Sequence, residues 1–370
     1  MSNNPIQSFT ALLTALAANP ARTSALSELA AVNAAQPDPF AALLPRETSD
    51  TWRVGGGNLR MVVTPALPVA PDSPLPQGGQ AVATAWSGET DKWGLRFDIN
   101  EVQMKELHEA LFRAAGQGGA TGLARTGQEY VRRMLGQVNE SLNLSERIVR
   151  AEAIMSGRYT GRASVLGAKA AAKIGTVDYG VKRFTAAGAY DGPTSSFWAD
   201  IAKGRREAGT FGVTIVTSEA TYLAAKTNPV NAIAETARVE NANGTITVII
   251  SQMPKVSDGH YNTTPDAEFA NVQITLIRTQ AYQVAGADGK LTAVKYGVDN
   301  VLTFLPSGVL GGLVIAPTVE GQRRGVNGGS RCTYIAEPSD TEISVRGVTN
   351  MLPVIYRADE ICVFNTGTNV

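Results

Sequence analysis

Residues 123–159, LARTGQEYVRRMLGQVNESLNLSERIVRAEAIMSGRY, run without a proline. A helix over all of them, at about 1.5 Å per residue, spans roughly 55 Å. Val131, Leu135, Val138, Leu142, Ile148 or Val149, and Met155 recur at near-helical spacing. Arg132, Arg133, Glu140, Glu146, Arg147, Arg150 and Glu152 take much of the remaining surface. A single apolar stripe on so long a helix must lie across a sheet or along a neighbour to be stable. Gly136 and Asn143 interrupt the stripe, which fades after five turns, so a heptad coiled coil is disfavoured.

The chain of 370 residues has room for two or three domains, and at 44% apolar it can fill real cores. Its 33 Lys+Arg balance 33 Asp+Glu, so overall charge makes no case for nucleic acid or membrane binding. The balance is uneven locally. Residues 158–206 hold nine basic against three acidic residues, and 207–300 hold six against nine. Opposite signs on different segments suit head-to-tail contacts between identical subunits; solvated faces are the other reading. Cys332 and Cys362 are isolated, which fits a reducing compartment. The first basic residue is Arg22, so a secretory signal is not expected, and no run is long enough to span a membrane.

Residues 1–44 are rich in Ala and Leu, with short helices expected near 6–18 and 22–35. They read as a jointed arm whose apolar faces need a partner, either the protein's own body or a neighbour. RVGGGN at 53–58 reads as a flexible joint. Strands follow at 59–64, 81–87 and 92–99, around a tip holding Pro65, Pro68, Pro71, Pro74 and Pro76. This is a long hairpin, marginal alone and stable when it lies on something else; an irregular surface loop is the alternative. A helix is expected over 100–115, and GQGGATG at 116–122 separates it from the long helix. Residues 160–173 form a basic connector, 176–179 a strand-like piece, and 197–206 a helix. Mixed α/β structure follows from Phe211. Strands are expected at 213–217, 245–251, 274–284, 291–298, 301–305, 312–316, 342–348 and 354–364, with Ser218 capping a helix over 218–227. Asn243–Gly244 and Asp288–Gly289 signal hairpins.

Chemistry-bearing patterns are missing. His108 sits in a helical pattern between Glu106 and Glu109, and His260 in the polar loop SDGHYNTT. No metal-spaced histidine pair, CxxC, GxSxG elbow or P-loop occurs. No catalytic, cofactor-binding or metal-ligating residue is assigned. The parts that remain are mechanical: an arm, a projecting hairpin, a long helix and a compact α/β region.

In order and spacing these parts resemble the major capsid proteins of tailed bacteriophages, in their lambda-like branch. DPFAALLPRE at 38–47 is similar to that family's lead-in from the arm, and the Pro/Gly hairpin at 59–97 stands where its extended loop lies. ERIVRAEAIMSGRYTG at 146–161 resembles the end of its spine helix. TVDYG at 176–180, SFWAD at 196–200 and FLPSGVLGGLVIAPT at 304–318 match its following strand, Trp-containing helix start and Phe-x-Pro strand. SVRGVTNMLPVIYRADEICVF at 344–364 resembles its closing strands, with Arg357–Ala358–Asp359–Glu360 where an Asp-Pro turn is usual. The similarity covers roughly 38–370. It implies an α+β fold, the Johnson fold, with an N-terminal arm (1–52), extended loop (53–99), peripheral domain (100–210) with spine helix 123–159, axial domain (211–340) and returning C-terminal strands (341–370). It implies a non-enzymatic structural virion protein without cofactors. Such a protein is assembled in the host cytoplasm into hexamers and pentamers of an icosahedral head around double-stranded DNA, contacted non-specifically. Portal and scaffold proteins, and optionally a decoration protein, are the implied partners, with no membrane. Two alternatives stay open: an encapsulin-like shell around protein cargo, and a non-shell virion protein with a binding site near His260.

Overall fold

The computed structural model describes residues 11, 13–19, 23, 38–60, 82–99, 101–160, 176–208, 213–253, 267–278, 281–285, 291–326, 331–336 and 343–366. Most of the two arm helices, the proline tip of the hairpin, the connector at 161–173 and the His260 loop lie outside these residues.

Two sheets organise the molecule. The first is built on β17 (Ile343–Ile355). One edge of β17 pairs antiparallel with β4 (Asp91–Ile99), from Ile343↔Ile99 to Met351↔Asp91. Its other edge carries β16 (Cys332–Ile335) and then β15 (Gly311–Ala316), and β1 (Arg46–Thr48) adds to β15 in parallel. The second sheet has seven strands. In spatial order these are β7 (Lys182–Thr185), β18 (Cys362–Asn365), β14 (Val301–Leu305), β8 (Thr214–Ser218), β11 (Val272–Ile277), β10 (Thr245–Gln252) and β9 (Ile233–Glu240). Val301–Leu305 is buried at every position, as the apolar run VLTFL requires.

Helical backbone, α1, runs from Glu101 to Ser156 without interruption. The residues at 116–122 are themselves helical, yet the contacts between the two halves of α1 fit the separation expected there. Helix α1 is not straight. In a straight helix Glu106 and Tyr130 would stand about 36 Å apart. Yet Glu106 and Ala110 wall one cavity of about 500 Å³ together with Tyr130, Arg133 and Met134. Burial and the Glu106 carboxylate both raise the Tyr130 phenol above its usual range. The two halves of α1 thus lie alongside each other, and the glycine run falls in the stretch where the axis must reverse. Four glycines in seven residues permit that, because each lacks the Cβ that stiffens a helix.

The second half of α1 lies across β17. Val131, Leu135 and Val138 pack with Ile335 and Val345, while Leu142 approaches Gly347. A Cβ added at Gly347 would come within 2.3 Å of Val138 Cγ1, so glycine there lets helix and sheet touch. The helix ends where Gly157 adopts φ +66°, and its N–H still donates to Ala153 O at 2.9 Å. Helix α2 (Phe197–Glu207) covers the seven-stranded sheet, with Gly204 pressed onto the Phe304 ring. Helix α3 (Glu219–Thr227) starts as expected, Ser218 Oγ accepting from Thr221 N–H at 3.2 Å.

Several expected segments differ, among them the strand expected over 342–348, which runs on to Ile355 as β17. RVGGGN is strand, not joint: β2 (Arg53–Arg60) includes it. Its partner backbone supplies the hydrogen bonds that three glycines cannot supply by packing. The strand expected over 274–284 is two, β11 and β12 (Ala281–Ala285); β12 pairs antiparallel with β13 (Leu291–Lys295), and the hairpin signal Asp288–Gly289 lies outside the described residues. The strand expected over 354–364 is broken by a single 3₁₀ turn at Ala358–Glu360, held by Arg357 donating to Glu360 Oε1 at 2.8 Å.

Candidate assembly surfaces

The hairpin is an antiparallel ladder of β2 with β3 (Val82–Glu89), from Arg53↔Glu89 to Arg60↔Val82. Eight residues at about 3.3 Å each carry it roughly 26 Å from its base. Among the described residues no third strand pairs with either edge. Its root is fastened to the body. The Trp52 indole N–H donates to Pro317 O at 2.7 Å, yet the residue stays 48% exposed. Thr90 N–H donates to Trp52 O at 2.8 Å, and Gly88 fits against Val177 and Leu352. Beyond Thr90 the chain joins the five-stranded sheet through β4. The geometry is a two-stranded arm joined to the five-stranded sheet, with both edges open among the described residues.

The N-terminal arm is seated at two places. Leu13 and Leu16 are buried in a cluster with Leu111, Val131 and Leu135, so this part of the arm uses the protein's own body as its partner. Further on, Phe40 and Leu44 enter the main core beside Ile154 and Met155. Leu43 O accepts from Leu310 N–H at 2.9 Å, and Pro45 O from Leu313 N–H at 2.7 Å, before β1 docks on β15.

A turn at 176–183 closes against the C-terminal end of α1. Asp178 takes a two-pronged contact from Arg183, with Nη1–Oδ2 and Nη2–Oδ1 both 2.8 Å. Gly180 N–H at 2.9 Å and Arg158 Nε at 3.1 Å complete it. The Arg183 hydrogen bonds, aided by Gly180 and Arg158 and opposed by burial, hold the Asp178 carboxyl at about 2.

Part of the basic surplus of 158–206 is spent inside the subunit. Besides Arg158 and Arg183, Lys182 donates to Glu207 O at 2.6 Å, and the Lys203 ammonium lies 4.0 Å from the Phe184 ring centre. An inter-subunit charge contact through Lys203 would first have to give up this stacking.

His108 falls on α1, away from any assigned chemistry. Among the described residues no group of three or more His, Cys, Asp and Glu could hold a metal, and no helix is long and apolar enough to cross a membrane. Cys332 and Cys362 are free, and burial raises each thiol to about 11, so neither is a ready nucleophile. Sequence spacing did not single out the seating of residues 38–46 or the Asp178 turn. The family resemblance did mark both segments, through DPFAALLPRE at 38–47 and TVDYG at 176–180.

No family model matches the chain, and no curated protein matches it in sequence. Solved structures do. A protein assigned as a prophage capsid protein in E. coli CFT073 superposes with a TM-score of 0.52 at 11% identity, covering 94% of this chain and 98% of that one. The satellite phage P4 procapsid, which includes the size determination (Sid) protein, gives 0.46 at 10% identity over 93% and 90%. A virus-like particle from Pyrococcus furiosus gives 0.41 at 10% over 93% and 98%. The E. coli prophage match extends over nearly the whole of both chains, and it agrees with an α+β body that carries a long folded-back helix and an open-edged hairpin. The chain has the fold of a tailed-phage capsid protein, the Johnson fold.

Proposed function

We propose that this protein is a structural, non-enzymatic shell subunit, forming hexamers and pentamers of an icosahedral phage head around double-stranded DNA. The supporting observation is the β2–β3 hairpin, rooted in a rigid sheet while both its edges stay unpaired among the described residues. An isolated two-stranded ladder is marginal in water. One held out from the body gains stability by lying on a second copy, through a heterologous contact that rings and shells can close. The division into arm (1–52), extended loop (53–99), peripheral (100–210) and axial (211–340) domains, and returning strands (341–370), belongs to this proposal, as do the virion location and the portal and scaffold partners.

Sedimentation velocity of the purified full-length protein tests the reading. Pentamers, hexamers or shells are expected; a lone 39.0 kDa species at every concentration would refute it. Nucleic acid in particles isolated from an infected host separates a phage head from a shell around protein cargo.

A further inference from the structure

The cavity of about 500 Å³ between the two halves of α1 is lined by apolar groups and by a surplus of carboxylates. Phe97, Tyr130 and Met134 are the large apolar members, and Phe97 stays 37% exposed. Asp98, Glu106 and Glu129 share the lining with one guanidinium, that of Arg133. Glu106, Glu129 and Arg133 are exposed, so the cavity opens to water. Arg96 pairs with Asp98, and Arg125 with Glu129 at 3.2 Å. Glu106 has no ion-pair partner among the described residues. A concave site of this size, apolar with one unanswered carboxylate, suits an apolar side chain that has a cation beside it.

Residues 161–175, GRASVLGAKAAAKIG, have that composition: Arg162, Lys169 and Lys173 with Val165 and Leu166, and no acidic residue. They lie outside the described residues, but their anchors do not. Strand β5 (Arg158–Tyr159) pairs with β6 (Val177–Asp178), so the segment leaves and returns at one place. Fifteen residues fixed at both ends carry their middle at most about 27 Å from the anchors. Leu166, six residues beyond Thr160, reaches about 20 Å. Along the second half of α1, Met134 stands about 33 Å before Ser156, and Tyr130 about 39 Å. The segment therefore falls short of the cavity in its own subunit. We propose that the cavity receives residues 161–175 of a second copy, with Leu166 among Phe97, Tyr130 and Met134 and with Lys169 or Lys173 on Glu106. This rests on the reading that the chain assembles, and it gives the basic connector an acidic partner on the neighbour. Connector and cavity sit at different places on the subunit, so every copy both gives and receives, as a heterologous contact requires.

The test uses full-length protein assembled from equal parts of unlabelled and nitrogen-15-labelled subunits. Carbodiimide joins a lysine amine to a carboxylate that touches it, and mass spectrometry reads the linked peptides. Lys169 or Lys173 should be joined to Glu106 or Glu129, with about half of the linked pairs mixed in isotope, as contact between copies demands. Glu106→Lys and Lys169→Glu should each raise the concentration at half-assembly about fivefold, the upper range for one exposed pair, and together restore it. Leu166→Asp should cut the links about tenfold, because it carries a charge into the apolar lining. Circular dichroism of each variant shows that its fold is kept. The proposal is overturned if linked pairs never mix isotopes, if no link reaches Glu106 or Glu129, or if the double variant does not recover. Links from the connector to carboxylates elsewhere, or its shielding by duplex DNA instead, overturn it too. Shells without these links remove this proposal alone, whereas a lone 39.0 kDa species removes it together with the assembly reading.

Discussion

Asp178 shows what one side chain contributes where two segments meet. Its carboxyl is held near 2 by Arg183, Gly180 and Arg158, against an unfolded value of about 4. A depressed folded value means the stabilisation is complete above the unfolded value and is lost as pH falls from about 4 to about 2. The carboxylate is nearly half exposed, so solvent screens it and the effect is modest. Asp178→Asn should lower the thermal midpoint by a constant amount above about pH 5, the difference shrinking as acid is added through about pH 4. A midpoint difference that stays the same down to pH 2 would mean that the Arg183 contact adds nothing. Gly347 is the apolar counterpart. Gly347→Ala places a methyl against Val138 and should cost about 1–3 kcal/mol by overpacking. Combined with Val138→Ala, part of that loss should return, and denaturant unfolding of the four members of the cycle measures how much. Simple additivity would mean that the helix moves aside instead.

At the level of elements, the second half of α1 is the member on which both the sheet and the arm depend. Leu135→Asp or Val138→Asp puts an unpaired charge between α1 and β17, costing several kcal/mol. Insoluble or unfolded protein is expected, and a well-folded variant by circular dichroism would contradict this packing. The stripe from Val131 to Met155 was legible in the sequence because its period is local, and so were Ser218 as a cap and the Asn243–Gly244 hairpin. What escaped notice depends on partners distant in the chain. The glycines at 55–57 look like a joint until the complementary strand at 82–89 is placed beside them. The buried ion pairs of Glu146 with Arg46 and Arg331 join residues about a hundred and about two hundred positions apart, and no spacing rule reaches that far. Nothing local announces that Lys203 stacks on a ring supplied by β7.

At the scale of the whole molecule, the proposed function gives assembly to two segments, the N-terminal arm and the β2–β3 hairpin. Deleting residues 1–37 removes Leu13 and Leu16 from the cluster on α1 but keeps the Asp38 seat. The truncated protein should stay soluble and give monomers, single capsomers or misassembled particles by electron microscopy. Normal shells would make the arm dispensable. The triple change Lys203→Glu, Arg205→Glu and Arg206→Glu probes the basic face, with loss of assembly expected at low salt and partial recovery as salt screens the repulsion. Since Lys203 also stacks on Phe184, Arg205→Glu with Arg206→Glu alone is the cleaner comparison. The central claim is that this chain builds a shell by laying its hairpin on the next copy. The direct measurement is cryo-electron microscopy of particles formed by the full-length protein. The account predicts an icosahedral shell of pentamers and hexamers in which residues 53–60 and 82–89 lie against an adjacent subunit. Dispersed monomers, or a shell whose hairpins touch only their own subunit, would contradict it.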